Sequence, residues 1–599
     1  MNKIFSPLCA ALLMSGLLAV SCSRTEGPQT KSQPAKLQTM TVRDGVLRFA
    51  DGSEVNLWGV NFQPNLSWEH AARMELQGLF TPLKAEEMKK MTDESFDQIE
   101  RLGCNVIRIH LCPADFVDGQ GRLVERIWLD LLDYTMAEAR MRGIYVYLTL
   151  MNEMRNGGTQ APAFNDAFPH KFARVEWMVV PEAVAAAQQY TRALLNRQNP
   201  YDQTRYQDNP AIALIEPVNE PDYLTREELD KNPRIQKVYQ DWLRAAGRKD
   251  DATAFGAFRY ETALAYLNGI AGVIRTEGAK QPLVWNCGWP RNIQHNEEIF
   301  QAIADSKMDA ISYCLYPGQD DLKVPFWKYP EDLSDRNYLP YLKQVSERED
   351  WMGWIRTPRF ASKAKVVYEF ETMCNQRTYL FPAMAKLFRS TGVQVATLWT
   401  YVLSGYAPYC GGTHVLNLET TPRKAASFMI GGEVFRDLPR GVPFTTTGND
   451  ADAFQGFSLS HPLDLSVAVT DDSLIHSGPL PQDFAALPQK PRRIVGVGDS
   501  PFVGYAGTGL HFLEQTSDTQ YQLTILPNAR FLSPHWLKKP DGKPIVELDR
   551  TTTLQFRLQL PGKPTLAKVE RKVGQGWQSV IFENDQFPAS PGEYRIILK

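Results

Sequence analysis

Ala211-Ile212-Ala213-Leu214-Ile215-Glu216-Pro217-Val218-Asn219-Glu220-Pro221 is the stretch that decides the fold. Ala211 to Val218 is an apolar run broken only by Glu216, and it reads as one buried strand closed by Asn219-Glu220-Pro221. A second such run ends in Val366-Val367-Tyr368-Glu369-Phe370-Glu371. Strands that are apolar almost without interruption are covered on both faces, which is the habit of parallel sheets with helices packed around them.

Working outward, the same texture recurs. Short apolar strands are predicted at 56–61, 105–111, 145–150, 211–218, 283–285, 310–314, 365–370 and 394–399. Helical patterns lie between them, for example at 86–102, 128–141, 184–197 and 260–276. Eight βα units predict an α/β fold, a closed (β/α)8 TIM barrel. The competing doubly wound sheet wants a Gly-rich phosphate loop after the first strand, and Gly59-Val60-Asn61-Phe62-Gln63-Pro64 is not one. Ahead of the barrel, residues 41–60 carry two Asp-Gly steps, Asp44-Gly45 and Asp51-Gly52, which predict a hairpin. From about Phe435 the pattern changes to period two: Leu465, Val467 and Val469, then Tyr521, Leu523 and Ile525, then Tyr594, Ile596 and Leu598. That predicts a C-terminal antiparallel β-sandwich domain. The expected domains are a barrel over 41–434 and a sandwich over 435–599.

The chain has 599 residues, 43% hydrophobic and 22% charged, with a net charge of -3, the composition of a globular protein. With no basic stripe, nucleic acid is not an expected partner. The N-terminus reads as a targeting segment: Lys3, then an apolar stretch from Leu8 to Val20 that is short for a bilayer span. Ala19-Val20-Ser21-Cys22 resembles a bacterial lipobox, which implies a signal over residues 1–22, a lipidated Cys22 and a Pro/Gln/Ser/Thr-rich tether over 23–40. The position three before the cysteine holds Ala19 where Leu is usual. An ordinary cleaved signal is the alternative. The resemblance implies an exported protein, anchored by lipid in the cell envelope, facing the periplasm or the cell surface. The six remaining cysteines, Cys104, Cys112, Cys287, Cys314, Cys374 and Cys410, form no CxxC pair, so no zinc or redox motif is visible. Disulfide pairing stays open.

Active sites of such barrels lie at the C-terminal ends of the strands. Glu220 follows the fourth predicted strand and Glu369 closes the seventh. Arg108 lies in the second, Tyr316 follows the sixth and Trp399 ends the eighth. Two carboxyls facing one another are the equipment of glycosidic hydrolysis, one giving a proton to the leaving oxygen and the other attacking the anomeric carbon. An Arg beside the nucleophile keeps it ionised, and an Asn beside the acid can hold a sugar hydroxyl.

With those residues in place the chain resembles the retaining (β/α)8 glycoside hydrolases of the clan that contains family 5, the cellulase and mannanase group. The motifs are Trp58-Gly59-Val60-Asn61, Asn105-Val106-Ile107-Arg108, Asn219-Glu220-Pro221 and Val366-Val367-Tyr368-Glu369-Phe370, with Trp399 at the eighth strand. The resemblance covers about residues 41 to 430. It implies Glu220 as acid/base, Glu369 as nucleophile, Arg108 and Tyr316 as partners of Glu369, Asn219 as the ligand of the 2-hydroxyl, and Trp399 as the floor under the cleaved sugar. The implied partner is a β-linked glycan, with no metal and no organic cofactor.

The sequence departs from that pattern. Cys314-Leu315-Tyr316 stands where the family shows His-x-Tyr, which alters a sugar contact. Met151-Asn152 replaces a common His after the third strand, so Asn152 is a candidate sugar contact or a loop turn. Glu371 shares a strand face with Glu369 and competes with it as nucleophile, or else serves as a hydroxyl ligand or the partner of a basic residue. Glu216 shares a face with Glu220 and reads as a barrel-core acid paired with an Arg. His110 either reaches the sugar or is simply buried. Trp68, Trp177, Trp289, Tyr313 and Tyr401 are candidate stacking platforms. An exo-acting β-glycosidase of a neighbouring family and a non-catalytic glycan-binding lipoprotein remain as alternatives. Oligomeric state, sugar and linkage are not legible.

Overall fold

The computed structural model describes residues 37–62, 85–152, 168–324, 331–484, 487–536, 543–562 and 564–599. The expectations for the signal, the tether, Cys22 and Trp68 lie outside these residues.

The chain opens with the predicted hairpin, β1 (Met40–Arg43) against β2 (Val46–Phe49). Asp44 and Gly45 take φ of 51° and 71°, the left-handed pair that a two-residue turn requires. Gly45 is also needed for closeness, because a Cβ there would lie 2.0 Å from the Ala361 carbonyl oxygen.

Eight parallel strands follow: β3 (Leu57–Asn61), β4 (Val106–His110), β5 (Tyr145–Thr149), β6 (Ile212–Glu216), β7 (Val284–Asn286), β8 (Ala310–Leu315), β9 (Ala364–Phe370) and β10 (Val393–Leu398). Their order round the sheet is β6-β5-β4-β3-β10-β9-β8-β7. The ring closes through a parallel bridge between Ile215 and Leu283 and a 3.0 Å bond from the Ile215 N–H to the Pro282 carbonyl. Strand β6 is shorter than its apolar run because Pro217 has no N–H to give a ladder.

Helices wrap the barrel where their end signals place them. Ala252–Thr276 starts on Asp251, whose side chain accepts from the Ala254 N–H at 2.8 Å. Ile127–Arg142 stops at Gly143, φ 71°. Helix Pro422–Asp437 covers Trp58, which packs against Phe370, Phe428 and Phe435. Gly431 and Gly432 admit the indole, since a Cβ on either would lie 2.9 Å from it.

That helix runs through residue 434, and period-two structure starts only at Ala451. Ten strands between Ala451 and Leu598 form one sheet. It is antiparallel apart from one parallel pair, Ser473–His476 beside Arg493–Val497. A three-stranded sheet (Val503–Gly504, Leu554–Leu558, Gln586–Ala589) accompanies it. Val467, Leu474, Ile494 and Leu513 join a core with Phe556 and Phe587 of the small sheet. Their alternating neighbours Ala468, Ile475, Val495 and Phe512 join the barrel's core instead. The central strands are therefore covered on both faces, and residues 37–599 form one compact unit. Lys386 with Asp452 (2.6 Å) and Arg423 with Asp464 (2.7 Å) pin the two parts together.

Candidate active site

Arg108, on β4, is fully buried inside the barrel and organises its C-terminal end. Its Nε donates to Thr149 Oγ1 at 3.0 Å. Nη1 donates to Asn61 Oδ1 and to Glu369 Oε1, both at 2.9 Å. Nη2 donates to Glu216 Oε1 at 2.6 Å and to Asn219 Oδ1 at 2.8 Å. Every donor of the fork is used, so the guanidinium is a rigid charge rather than a mobile arm. Burial works against its proton, but Glu216 and then Glu369 more than offset that and hold it well above the ordinary range.

Glu216, at the end of β6, also accepts from Tyr147, Thr149 (2.9 Å), Ser312 (2.8 Å) and Asn286 (3.3 Å). With its lone pairs occupied it is a structural counter-ion in the barrel core.

Glu369, near the end of β9, is the other carboxylate on Arg108. Its Oε2 accepts from the Tyr316 hydroxyl at 2.7 Å. Burial, and after it the Glu220 carboxyl, push Glu369 up to about 8, against the pull of Arg108 and Tyr316. The Glu220 carboxyl is thus close enough to act on Glu369 electrostatically. Tyr316 is itself held far above its usual range, by burial first and then by Glu369, so it remains a hydrogen-bond donor.

Glu220 faces this pair from the loop after β6. Its Oε1 accepts from the Tyr368 hydroxyl at 2.7 Å. Its backbone sits at φ 42°, a conformation that costs on the order of 1–3 kcal/mol for a residue with a side chain and is frequent at functional sites. Arg174 donates to the Glu220 carbonyl and so helps to fix this bend.

Tyr368 reaches the site through a bulge. Tyr313 pairs with Val367 and Cys314 with Glu369, which leaves Tyr368 as the extra residue, and the β10 register skips at the same point. Strict alternation assigns Tyr368 and Glu369 to opposite faces. The bulge brings both inward, with the Tyr368 ring 4.9 Å from the Arg108 guanidinium carbon.

His110, also buried, takes a 2.7 Å contact on Nδ1 from the Asn152 amide, which leaves the ring proton on Nε2. Burial first, then Arg108, keep it well below 6.5 and therefore neutral. Its ring meets Trp399 edge-on at 4.9 Å. Asn152, which stands where the family pattern has His, is thus linked through His110 to Trp399. Cys314 is fully buried, and burial followed by the Glu220 charge push its thiol well up, so it is a neutral group beside the pair.

Glu371 stands apart. It is fully buried and forms an ion pair with Lys424, with His414 Nδ1 at 3.4 Å. Burial alone raises its carboxyl, but Lys424 and His414 hold it at about 2. His414 in turn meets the Tyr316 ring at 5.6 Å, so this ion pair braces the donor to Glu369.

Among the platform candidates, only Trp289 is brought to the described site: it is half-buried, 5.4 Å from Tyr316 and under Arg291. Tyr313 is buried on Thr391 and Tyr401 on Gln98, outside the cleft, and Trp177 is buried as core. The six described cysteines are all buried. No group of three or more metal-ligating side chains is assembled among the described residues.

The sequence reading missed Tyr368, Tyr147 and Arg174 as parts of the site. Tyr147 was legible in principle, since it shares a strand face with Thr149. Arg174 carried no signal.

No family model and no curated protein sequence matches the chain. Similar solved structures include the endo-1,4-β-mannanase from Rhizomucor miehei, at 13% identity and TM-score 0.43, covering 67% of this chain and 100% of that one. The endo-β-1,4-mannanase from Thermotoga petrophila aligns at 12% identity and TM-score 0.43, covering 90% and 92%. A glycoside hydrolase family 5 mannosidase from Rhizomucor miehei aligns at 13% identity and TM-score 0.44, covering 67% and 99%. At such distances, function is argued from the site's own geometry.

Proposed function

We propose that the protein is a retaining β-glycoside hydrolase acting on a poly- or oligosaccharide. The observation that carries this is the pair itself: Glu220 and Glu369, delivered by two different barrel strands to one end, interact electrostatically and are supported unequally. Glu369 receives a guanidinium and a phenol, whereas the Glu220 carboxyl receives one phenol. Burial and the Glu220 charge raise the Glu369 carboxyl, but the guanidinium and the phenol on it favour its ionised form over the protonated one, and on that support we assign Glu369 as the nucleophile and Glu220 as the proton donor.

The chemistry follows from that division. The Glu369 carboxylate attacks the anomeric carbon while Glu220 gives its proton to the departing glycosidic oxygen, leaving a glycosyl ester on Glu369. Glu220, now ionised, takes a proton from water. The resulting hydroxide attacks the anomeric carbon, frees the sugar and restores Glu369. Loss of charge on Glu369 in the first step relieves its repulsion with Glu220, which is why Glu220 can change from acid to base. Asn219, oriented by Arg108, supports binding of the 2-hydroxyl, and Trp399, backed by His110, supports the sugar ring from below. The mechanism uses no metal or organic cofactor. We further propose that the chain is exported and held on a membrane by lipid at Cys22.

Glu220→Gln and Glu369→Gln test the pair on a panel of β-linked polysaccharides and aryl glycosides. Each substitution is expected to lower kcat by at least about 10²–10⁴ while the thermal midpoint stays near that of the parent. Near-parental turnover in either variant overturns the assignment of that residue.

A further inference from the structure

We propose that the C-terminal domain builds one wall of the catalytic cleft, with Trp536 as a platform for a sugar unit beyond the one being cleaved. This rests on the glycosidase reading above.

An antiparallel strand pair, Asn528–Phe531 with Val546–Asp549, stands apart from the two larger sheets of that domain. It docks on the barrel. The Ile545 N–H donates to the Pro408 carbonyl at 2.7 Å, and the Gly412 N–H donates to the His535 carbonyl at 2.9 Å. His535 Nε2 lies 3.5 Å from the Cys374 carbonyl oxygen and 3.5 Å from Asp332 Oδ1. Arg550, just beyond, forks onto Glu419 at 2.6 and 3.3 Å.

These barrel partners identify the face. Asp332 follows β8, Cys374 follows β9, and Pro408 and Gly412 follow β10. All four lie in loops after the C-terminal ends of their strands, the same end that carries Glu220 and Glu369. The docked region is also continuous with the catalytic network. The Gly412 carbonyl accepts from Lys424 at 2.8 Å, Lys424 pairs with Glu371, and His414, two residues on, packs against Tyr316.

What this region presents suits a pyranose. Trp536 is half-buried against the barrel core, and its ring is fixed edge-to-face by His535 at 5.0 Å. Phe531, 38% exposed, flanks His535 at 6.0 Å. The Asp332 carboxylate beside them is 40% exposed. A rigid indole offers a flat apolar surface to the C–H face of a sugar, and an adjacent carboxylate accepts from its hydroxyls. Loops over barrel strand ends are the usual source of such specificity.

The test uses the full-length protein carrying Glu220→Gln, with and without Trp536→Ala. It is titrated calorimetrically with β-1,4-linked manno- and gluco-oligosaccharides from disaccharide to hexasaccharide. Affinity is expected to rise with length in the Glu220→Gln protein. Trp536→Ala is expected to remove about tenfold of that gain, with Trp536→Phe restoring most of it. An unchanged length series, or an equal loss at every length, overturns the inference and leaves the glycosidase reading standing. Full turnover by Glu220→Gln overturns that reading instead, and absence of binding to both series overturns the two together.

Discussion

Lys424→Met is the perturbation that probes the buried brace beside the site most directly. Lys424 and Glu371 have side chains 3% and 0% exposed, and the ammonium also donates to the Gly412 carbonyl at 2.8 Å. Methionine keeps most of the stem's volume and removes the charge, leaving a buried carboxylate with the Thr372 hydroxyl at 3.2 Å and His414 Nδ1 at 3.4 Å. The drop in the Glu371 carboxyl from 4.5 to about 2 corresponds to roughly 3 kcal/mol, at ~1.4 kcal/mol per tenfold in proton affinity. Removing one partner of a buried pair costs ~3–5 kcal/mol on general grounds, so the two routes agree. The sign fixes the pH dependence. The folded value of Glu371 lies below its ordinary one, so its stabilisation is complete above 4.5 and is lost as pH falls toward about 2. In Lys424→Met the carboxyl must instead take up a proton to stay buried. Urea unfolding followed by tryptophan fluorescence is therefore expected to show a deficit of about 3–5 kcal/mol near neutral pH, shrinking in acid. A double variant, Lys424→Met with Glu371→Gln, is expected to regain much of the loss. A deficit below ~1 kcal/mol at neutral pH, or one that does not shrink in acid, refutes the reasoning.

Other outcomes follow from the same geometry. A fluorinated glycoside that traps the intermediate is expected to label Glu369 by peptide mass spectrometry, and label on Glu371 would reassign the nucleophile. Proton NMR of the first product from a β-linked substrate is expected to show the β-anomer, whereas an initial α-anomer excludes double displacement. Cys22→Ser is expected to move the protein from the membrane fraction to the soluble one, because lipid is the anchor proposed, and an unchanged distribution points to another mode of attachment.

The barrel is written in local pattern, and so is the end at which the candidate site residues gather. Each barrel strand is buried on both faces, so each reads as an apolar run regardless of its neighbours, and helix end signals such as Asp251 and Gly143 are local. That Glu220, Glu369, Arg108 and Tyr316 gather at one end of the barrel was legible, because strand ends in a parallel barrel converge on one face by topology. The pairing of Glu216 with an Arg was legible from alternation alone.

The features that pattern leaves open lie where local periodicity fails or where sequence separation is long. Tyr368 enters the site because an extra residue in β9 breaks the two-residue period, and nothing in the residues themselves announces a bulge. Glu371 becomes a buried ion-pair member through Lys424, 53 positions away, a choice that alternation leaves open between nucleophile, ligand and counter-ion. Arg174 fixes the Glu220 carbonyl from 46 positions away. The central strands of the C-terminal sheet, read from Leu465, Val467 and Val469 as one-sided, are covered on both faces because the barrel packs on the second. Pattern reports which residues leave water. Which surfaces they meet when they do so is set by packing between segments far apart in the chain, and the docking of His535 and Ile545 on the barrel loops at Gly412 and Pro408 is of that kind.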